Sequence, residues 1–171
     1  MSLEKITLRT PRLTLSALRE KDAAALIALF RHKMVNATYM VPDLADETTA
    51  ARLFSRMREL SLAADHCVFG IFLDDTLIGI MNDTEIDSDT IEMGYALHPD
   101  HSGHGYMTEA FSAVIAHLRA RGFARVTAGA FEENAASLRV LQKCGMIPLP
   151  KTDEIEYRGR KHVCIYYTTP L

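Results

Sequence analysis

Two glycines, Gly103 and Gly105, separate a stretch of alternating apolar residues from a stretch with helical periodicity. The alternation over residues 91–97 predicts a strand, and apolar residues recur at helical spacing from Met107 to Leu118. Glycine lets the backbone turn sharply between two such elements. The first N–H groups of a helix lack partners within the helix, and the helix dipole adds positive potential there. This stretch therefore predicts a binding site for an anionic group such as a phosphate.

One carboxylate, Glu92, lies on the predicted central strand, on the face that Gly94 and Ala96 share. A carboxylate inside a sheet is costly unless it is paired or used in chemistry. Glu92 is therefore a candidate general base that accepts a proton through a water molecule. Two other interpretations remain open, in which Glu92 is a structural acid with a satisfied partner or an edge residue that faces solvent.

Three histidines, His98, His101 and His104, follow the strand at a spacing of three. A helix would be needed to bring them together, and Pro99 and Gly103 prevent one. No acidic or cysteine ligand motif accompanies them. We therefore expect no metal site.

The remaining elements must position this loop. Periodicity and turn residues predict a first strand over residues 6–18, a helix from Asp22, a loop over 34–44, a helix from Asp46, strands over 66–73 and 76–82, a turn over 86–89, the central strand over 90–97, a long helix, a strand over 125–131, a short helix from Asn134, and a closing hairpin of 146–157 and 161–168. A strand, crossover helix and strand in succession predict parallel pairing of the strands at 91–97 and 125–131. We therefore predict an α/β (α+β) fold: a mixed, mostly antiparallel sheet with one central parallel pair, flanked by about four helices.

The composition narrows the functional classes. A chain of 171 residues, 48% hydrophobic, predicts one domain over residues 1–171 with a sizeable core. The net charge of −3 argues against a nucleic-acid partner, and no apolar run reaches membrane-spanning length. No secretory signal is evident, and the three scattered cysteines, Cys67, Cys144 and Cys164, predict free thiols in a reducing compartment. We therefore expect a cytoplasmic protein.

Two motifs resemble those of the GNAT N-acetyltransferases. HPDHSGHGYMTEA, residues 98–110, is similar to the acyl-CoA pyrophosphate loop of that family, and NAASLRVLQKCGM, residues 134–146, is similar to its second motif. The opening LRTPRLTLSALREKDAAAL, the strand IEMGYAL and the closing EYRGRKHVCIYY resemble the RimJ/RimL branch, which includes ribosomal-protein N-terminal acetyltransferases. The resemblance covers essentially the whole chain. It implies the GNAT fold and acetyl-CoA as the acetyl donor, and it leaves the acceptor open.

The resemblance also implies roles for individual residues. The pyrophosphate would lie on the backbone of Ser102, Gly103, His104, Gly105, Tyr106, Met107 and Thr108. Asn134, which is a favourable helix N-cap, would also contact the pantetheine amides. Ser137 matches the serine that RimL-type enzymes use as the proton donor to the departing thiolate, with Tyr95, Tyr106 and Tyr157 as the tyrosines to consider in its place. A backbone N–H near Leu97 would stabilise charge on the thioester carbonyl.

Three positions depart from the family pattern. Asp100 stands at the head of the loop motif, where relatives have Gln or Arg, and an acid there would weaken pyrophosphate binding. Leu141 stands where many relatives have a tyrosine acid, and it has no proton to give. Met146 replaces the usual phenylalanine, which is a tolerable exchange in a core.

We therefore predict an acetyl-CoA-dependent N-acetyltransferase that transfers acetyl directly to a primary amine in a ternary complex. The acceptor is a protein N-terminus, as in RimJ/RimL-type enzymes, or a small molecule such as an amino acid, a polyamine or an amine antibiotic. A non-catalytic acyl-CoA-binding regulatory module is the alternative from another class, and Asp100 and Leu141 favour it. We expect an acceptor pocket between residues 34–44, the second helix and the closing hairpin, in a monomer or a homodimer.

Overall fold

A computed structural model describes residues 6–170. The strands are β1 (Leu8–Arg9), β2 (Leu13–Ser16), β3 (Phe69–Leu73), β4 (Thr76–Asp87), β5 (Thr90–Leu97), β6 (Arg125–Phe131), β7 (Ile147–Tyr157) and β8 (Arg160–Thr168). The helices are α1 (Ala23–Arg31), α2 (Lys33–Asn36), α3 (Glu47–Leu62), α4 (Tyr106–Ala120) and α5 (Ala135–Lys143). The strands form one eight-stranded sheet in the order β1-β2-β3-β4-β5-β6-β8-β7. Only the β5–β6 pair is parallel among these described strands, so the predicted fold class is confirmed.

The first predicted strand is two strands. β1 and β2 form a tight antiparallel hairpin in which Leu8 pairs with Leu15. The turn between them is closed because the Thr10 N–H donates to the Leu13 carbonyl over 2.9 Å. Pro11 lies in this turn, where its missing N–H leaves no ladder hydrogen bond unmade. The expectation of one strand over residues 6–18 was therefore wrong.

Two further boundaries differ from the prediction. The expected loop over residues 34–44 begins with a short helix, α2, whose first turn is capped because His32 Nδ1 accepts from the Met34 N–H. β4 continues past Asn82 to Asp87, so the turn into β5 shortens to the two residues at 88 and 89. Ser88 adopts a φ of 54° in that turn. The described chain therefore has five helices where about four were expected.

β5 and β6 separate soon after they pair. Their parallel register covers only Thr90 to Glu92 against Arg125 to Thr127, and from Thr127 onward β6 pairs with β8. Strands that diverge in this way leave a gap in the sheet beside the second half of β5. This gap positions the candidate site described below.

The two faces of the sheet carry separate cores. On one face Ile91 and Met93 pack with Phe111 of α4 and Leu141 of α5. On the other face α1 and α3 cover the sheet through a second cluster of buried residues, which are Leu18, Leu26, Leu29, Phe30, Val35, Val41, Leu44, Ala50, Phe54, Met57, Val68, Ile80 and Ala96. The sheet is thus covered by a hydrophobic core on each face. No helix within residues 6–170 is long and apolar enough to span a bilayer.

Candidate active site

The glycine loop has the backbone geometry that the sequence predicted. A single 3-10 turn over Pro99–His101 follows β5, and α4 begins after Gly105. Gly103 and Gly105 have φ values of 81° and 79°, in the left-handed region that side chains disfavour. Glycine is therefore favoured at both positions, and a Cβ at Gly105 would have the Arg12 Nη2 as its nearest neighbour, at 3.6 Å.

A cleft of about 330 Å³ lies against this loop. Most of the residues predicted to bind the donor line it, namely Leu97, Ser102, Gly103, Gly105, Tyr106, Met107, Thr108 and Asn134. Asn134 caps α5, since its Oδ1 accepts from the Ser137 N–H over 3.1 Å, so the N-termini of α4 and α5 both reach the cleft. Arg139 and Lys143 add cationic side chains to the same wall. This set of donors fits an elongated anionic cosubstrate such as acetyl-CoA.

His104 is the one predicted loop residue outside the cleft lining, and its carbonyl binds Arg12 instead. Arg12 Nη1 donates to the His104 carbonyl over 2.9 Å, and the guanidinium lies 4.6 Å from the centre of the Tyr106 ring. The Arg12 side chain also pairs with Glu109 at 2.7 Å. The hairpin of β1 and β2 thus holds the outer side of the glycine loop, a contact that the sequence analysis missed.

Glu109 is an acid in the first turn of α4, close to the predicted anion site. Its charge is balanced by three donors from the hairpin: the Thr10 hydroxyl at 2.6 Å, the Arg12 N–H at 2.9 Å and the Arg12 Nε at 2.7 Å. Burial raises the pKa of Glu109, but these hydrogen bonds outweigh burial and the net pKa is lowered. Glu109 is therefore a bound carboxylate whose charge Arg12 neutralises.

The Leu97 N–H points into the gap between β5 and β6. The His98 N–H donates to the Ile78 carbonyl on β4. In an antiparallel pair only every second residue directs its backbone N–H and C=O groups to that neighbouring strand. The backbone groups of Leu97 and Tyr95 therefore face away from β4, towards the side where β6 has diverged. This orientation suits a donor to a carbonyl oxygen in the gap.

A second cavity of about 200 Å³ occupies the gap itself. Glu92 lines it from β5, and its Oε1 accepts from the Thr84 hydroxyl over 2.9 Å. Thr84 is the extra residue of a bulge in β4, because Asp83 pairs with Met93 and Glu85 with Glu92. Bulges commonly redirect a side chain beside a functional site, and this one turns Thr84 towards Glu92.

Ser137 lines both cavities, so it stands at their junction. Its Oγ lies 2.8 Å from the Tyr95 hydroxyl, which also donates to the Ser137 carbonyl over 3.2 Å. Burial raises the pKa of Tyr95, so the phenol keeps its proton at neutral pH. Of the three tyrosines considered from sequence, Tyr95 is the one that the structure brings to Ser137.

The walls of the second cavity correct the expected acceptor pocket. Thr38, Tyr39 and Met40 come from the predicted loop and Ile155 from the closing hairpin, as expected. None of its lining residues in the described chain comes from α3, so the structure does not bring the second helix to this cavity. α3 instead buries Phe54 in the core against α1, away from the gap.

Cys164 also lines this cavity, a position that sequence patterns did not predict. Its position follows from β8, where Cys164 pairs with Phe131 and shares a cluster with Tyr166. Burial raises the pKa of the Cys164 thiol, which keeps it protonated and weakly nucleophilic. Direct attack by the acceptor amine does not need it.

Comparison with known proteins decides the family. Residues 12–147 match the model of the acetyltransferase (GNAT) domain. The chain belongs to the GNAT acetyltransferase family. It is 29% identical over 143 residues to an uncharacterized N-acetyltransferase, YoaA of Bacillus subtilis, with 81% of each chain covered.

Solved GNAT structures share the fold along nearly the whole chain. An acetyltransferase from Salmonella typhimurium that modifies the N-terminal serine of a ribosomal-subunit protein superposes with a TM-score of 0.81 at 20% identity, covering 95% of this chain and 96% of that one. The microcin C7 self-immunity acetyltransferase MccE, solved with acetyl-CoA and AMP, gives a TM-score of 0.81 at 18% identity, covering 94% and 93%. This GNAT chain is thus an acetyl-CoA-dependent N-acetyltransferase by family.

The departures from the GNAT pattern have clear structural settings. Leu141 is fully buried in the core between α5 and the sheet, so it is a packing residue. Asp100 is exposed on the 3-10 turn, and its carboxylate lies 3.7 Å from His98 Nδ1. Within residues 6–170 no group of three or more His, Cys, Asp or Glu side chains is arranged to hold a metal ion.

Proposed function

We propose that this GNAT enzyme transfers acetyl from acetyl-CoA directly to a primary amine in a ternary complex, with Glu92 as the base and Ser137 as the proton donor. The observation that carries the proposal is the junction of the two cavities. Ser137 and Asn134 line both of them, while Glu92 lines only the cavity in the gap. An amine in the gap would therefore meet a donor in the cleft without any covalent enzyme carrier.

Glu92 has the chemistry and the setting of the base. An aliphatic amine has a pKa of about 10, so at neutral pH it arrives protonated and must lose a proton before it attacks. Glu92 is half-buried, and the Thr84 hydroxyl fixes one of its carboxylate oxygens. The other oxygen is left to accept the amine proton, directly or through a water molecule.

Ser137 would serve the other end of the reaction. Acetyl-CoA supplies an acetyl group activated as a thioester, so the C–N bond forms as the C–S bond breaks. The Ser137 hydroxyl donates its proton to the departing sulfur and regains one through the Tyr95 phenol at 2.8 Å. Solvent then returns a proton to Tyr95, and the amine proton held by Glu92 is released to solvent, so the cycle closes. The Leu97 N–H binds the carbonyl oxygen as negative charge develops on it.

A protein N-terminal amine is the acceptor that the relatives favour. The Salmonella typhimurium neighbour is described as modifying the N-terminal serine of a ribosomal-subunit protein. A RimL acetyltransferase solved with coenzyme A gives a TM-score of 0.79 at 19% identity. A small-molecule amine is the second candidate, since the cavity in the gap has a volume of only about 200 Å³.

Steady-state kinetics with purified protein would test this function. Free thiol is measured while acetyl-CoA and an amine are varied together, with peptides and small amines as acceptors. Intersecting double-reciprocal lines are expected for a ternary complex, whereas parallel lines would point to an acetylated enzyme. Tight binding of acetyl-CoA without amine-dependent thiol release would instead identify a regulatory module.

A further inference from the structure

The cavity in the gap has an unusual balance of charge. Glu92 is the single charged side chain among its lining residues in the described chain. The rest of the wall is aromatic, apolar or neutral, and includes Tyr39, Phe131 and Tyr166. An ammonium group is therefore attracted to the cavity, while the cavity lining offers no cation to an anion.

We propose that the acceptor is a primary amine with no free carboxylate beside it, so that the enzyme accepts amines or peptide N-termini and excludes free amino acids. This inference rests on the proposed acetyl transfer, and it narrows the class of acceptor. A peptide N-terminus and a simple amine share the required chemistry, because the carbon next to the amine carries an uncharged substituent in both.

Three neutral side chains of the lining already use a donor within the protein. The Tyr39 hydroxyl donates to Asn82 Oδ1 over 2.5 Å, and Asn82 Nδ2 donates to the Asp83 carbonyl over 3.0 Å. The Thr84 hydroxyl donates to Glu92. A carboxylate beside these three side chains would have to break one of these bonds to gain a donor from them.

Two basic side chains next to the walls are also paired. Lys151 lies over the Tyr166 ring with its Nζ 4.4 Å from the ring centre, and it pairs with Asp153 at 3.4 Å. His162 stacks on Phe131 with ring centres 4.2 Å apart, and its Nδ1 is bonded to Glu133. Both side chains are thus bonded to acids outside the lining.

A free amino acid would therefore bind poorly for two reasons. Its carboxylate is one carbon away from the amine, so an amine that reaches Glu92 brings two negative charges close together. The same carboxylate would also lose water without gaining a cation from the lining. A site that leaves a charged group unpaired typically rejects that ligand strongly, so we expect at least about hundredfold discrimination in kcat/KM.

Matched acceptors would test this discrimination on the wild-type enzyme. For each of three side chains, methyl, isobutyl and benzyl, the amino acid is compared with its carboxamide and with a dipeptide amide that begins with the same residue. The amine of a carboxamide is less basic than that of the amino acid. Ethylamine, isoamylamine and phenethylamine, whose amines are fully basic, therefore serve as controls for basicity.

We expect at least one series in which the carboxamide, the dipeptide amide or the simple amine exceeds the amino acid at least about a hundredfold in kcat/KM. The same data indicate the source of the acceptor. A kcat/KM for the dipeptide amide well above that for the simple amine indicates a protein N-terminus, and the reverse order indicates a small molecule. If kcat/KM for each amino acid is within threefold of the values for its carboxamide and simple amine, the inference is overturned while the proposed acetyl transfer stands. Absence of thiol release with every compound would overturn both proposals.

A variant tests the role that we give to Glu92 in this selection. Glu92→Gln should lower kcat/KM for every acceptor. It should also lower the ratio of kcat/KM for the carboxamide to kcat/KM for the amino acid by about tenfold, because the repulsion between two carboxylates is gone. Glu85→Gln removes an exposed carboxylate that pairs across from Glu92 on β4 and does not line the cavity. It should leave the ratio unchanged. An unchanged ratio in Glu92→Gln would refute selection by this charge.

Discussion

The hydroxyl oxygens of Tyr95 and Ser137 lie 2.8 Å apart and join the second half of β5 to the first turn of α5. The Tyr95 ring is fixed from behind by Phe111, with ring centres 5.3 Å apart. Because burial raises the pKa of Tyr95, its proton stays on the phenol across the range in which an acetyltransferase would work. The two hydroxyls therefore form one hydrogen-bonded pair, through which we propose that the proton reaches the departing sulfur.

The first prediction concerns this pair. Ser137→Ala should lower turnover roughly ten- to a thousandfold, the range expected for loss of general-acid assistance, with little change in acetyl-CoA affinity. Tyr95→Phe should cause part of that loss, and the double variant should be no slower than Ser137→Ala alone, because coupled residues are not additive. Ser112→Ala, at an exposed serine on α4, is the control in the same steady-state assay. Wild-type turnover in Ser137→Ala, together with lost cofactor affinity in Asn134→Ala, would reduce the second motif to a binding element.

The second prediction concerns Glu92 and pH. Glu92→Gln should lower turnover at neutral pH, and the loss should shrink as the pH rises. The reason is that more amine arrives already deprotonated at higher pH, so a base contributes less. The pH–rate profiles of the variant, of wild type and of Glu85→Gln provide the measurement. A Glu92→Gln profile parallel to wild type would show that Glu92 is structural.

The third prediction concerns the glycine loop. Gly105→Val should greatly weaken acetyl-CoA binding, because a branched side chain is strained at a φ of 79° and would crowd Arg12, which holds the loop. Gly159→Val is the matched control, since Gly159 has a φ of 71° in the β7–β8 turn, outside the cleft lining. Calorimetry should find a large loss of affinity only in Gly105→Val. Equal affinity in the two variants would remove the loop from the cofactor site.

Local patterns were enough to predict the central part of this fold. The alternation of β5, the glycines and the helical spacing of α4 all lie within one continuous stretch, and each signal agrees with its neighbour. The caps at Asp46 and Asn134 were also predicted, because each depends on a hydrogen bond to an N–H three residues later. Short elements were harder: α2 has four residues and β1 has two, too few for any periodicity.

The contacts that complete the site were not readable from the sequence. Arg12 and Glu109 are 97 residues apart, and Tyr95 and Ser137 are 42 apart, so only the folded sheet brings them together. The bulge in β4 that turns Thr84 towards Glu92 contains no glycine or proline, so the sequence has no local signal for it. Sequence therefore predicted the backbone geometry of the loop that we propose as the donor site, while the partners of the proposed acid and base required the structure.

The fourth prediction concerns Arg12, which we regard as a positioning residue for the glycine loop. Arg12→Gln removes the ion pair to Glu109 and the bond to the His104 carbonyl, and it leaves the Glu109 charge uncompensated near the pyrophosphate site. We expect KM for acetyl-CoA to rise about tenfold with kcat changed much less, since Arg12 does not line either cavity. Arg9→Gln, at an exposed arginine in the same hairpin, is the control. A fall in kcat with KM unchanged would contradict a positioning role.

Arg12→Gln should also change how the stability of the protein depends on pH. The pKa of Glu109 is lowered in the folded protein, so its ionised form stabilises the fold above the unfolded-state pKa of about 4.3, and this contribution is lost as the pH falls through the folded-state pKa. Arg12→Gln should therefore lower the melting temperature at pH 7, by a few degrees if the partly exposed pair contributes about 1 kcal/mol. The difference from wild type should shrink as the pH falls below the unfolded-state pKa of about 4.3 towards the lowered folded-state pKa, below which Glu109 is protonated in both proteins. Thermal melts across this range decide the point: a difference that stays constant with pH would mean that Arg12 stabilises the hairpin through packing on Tyr106 and not through the charge of Glu109.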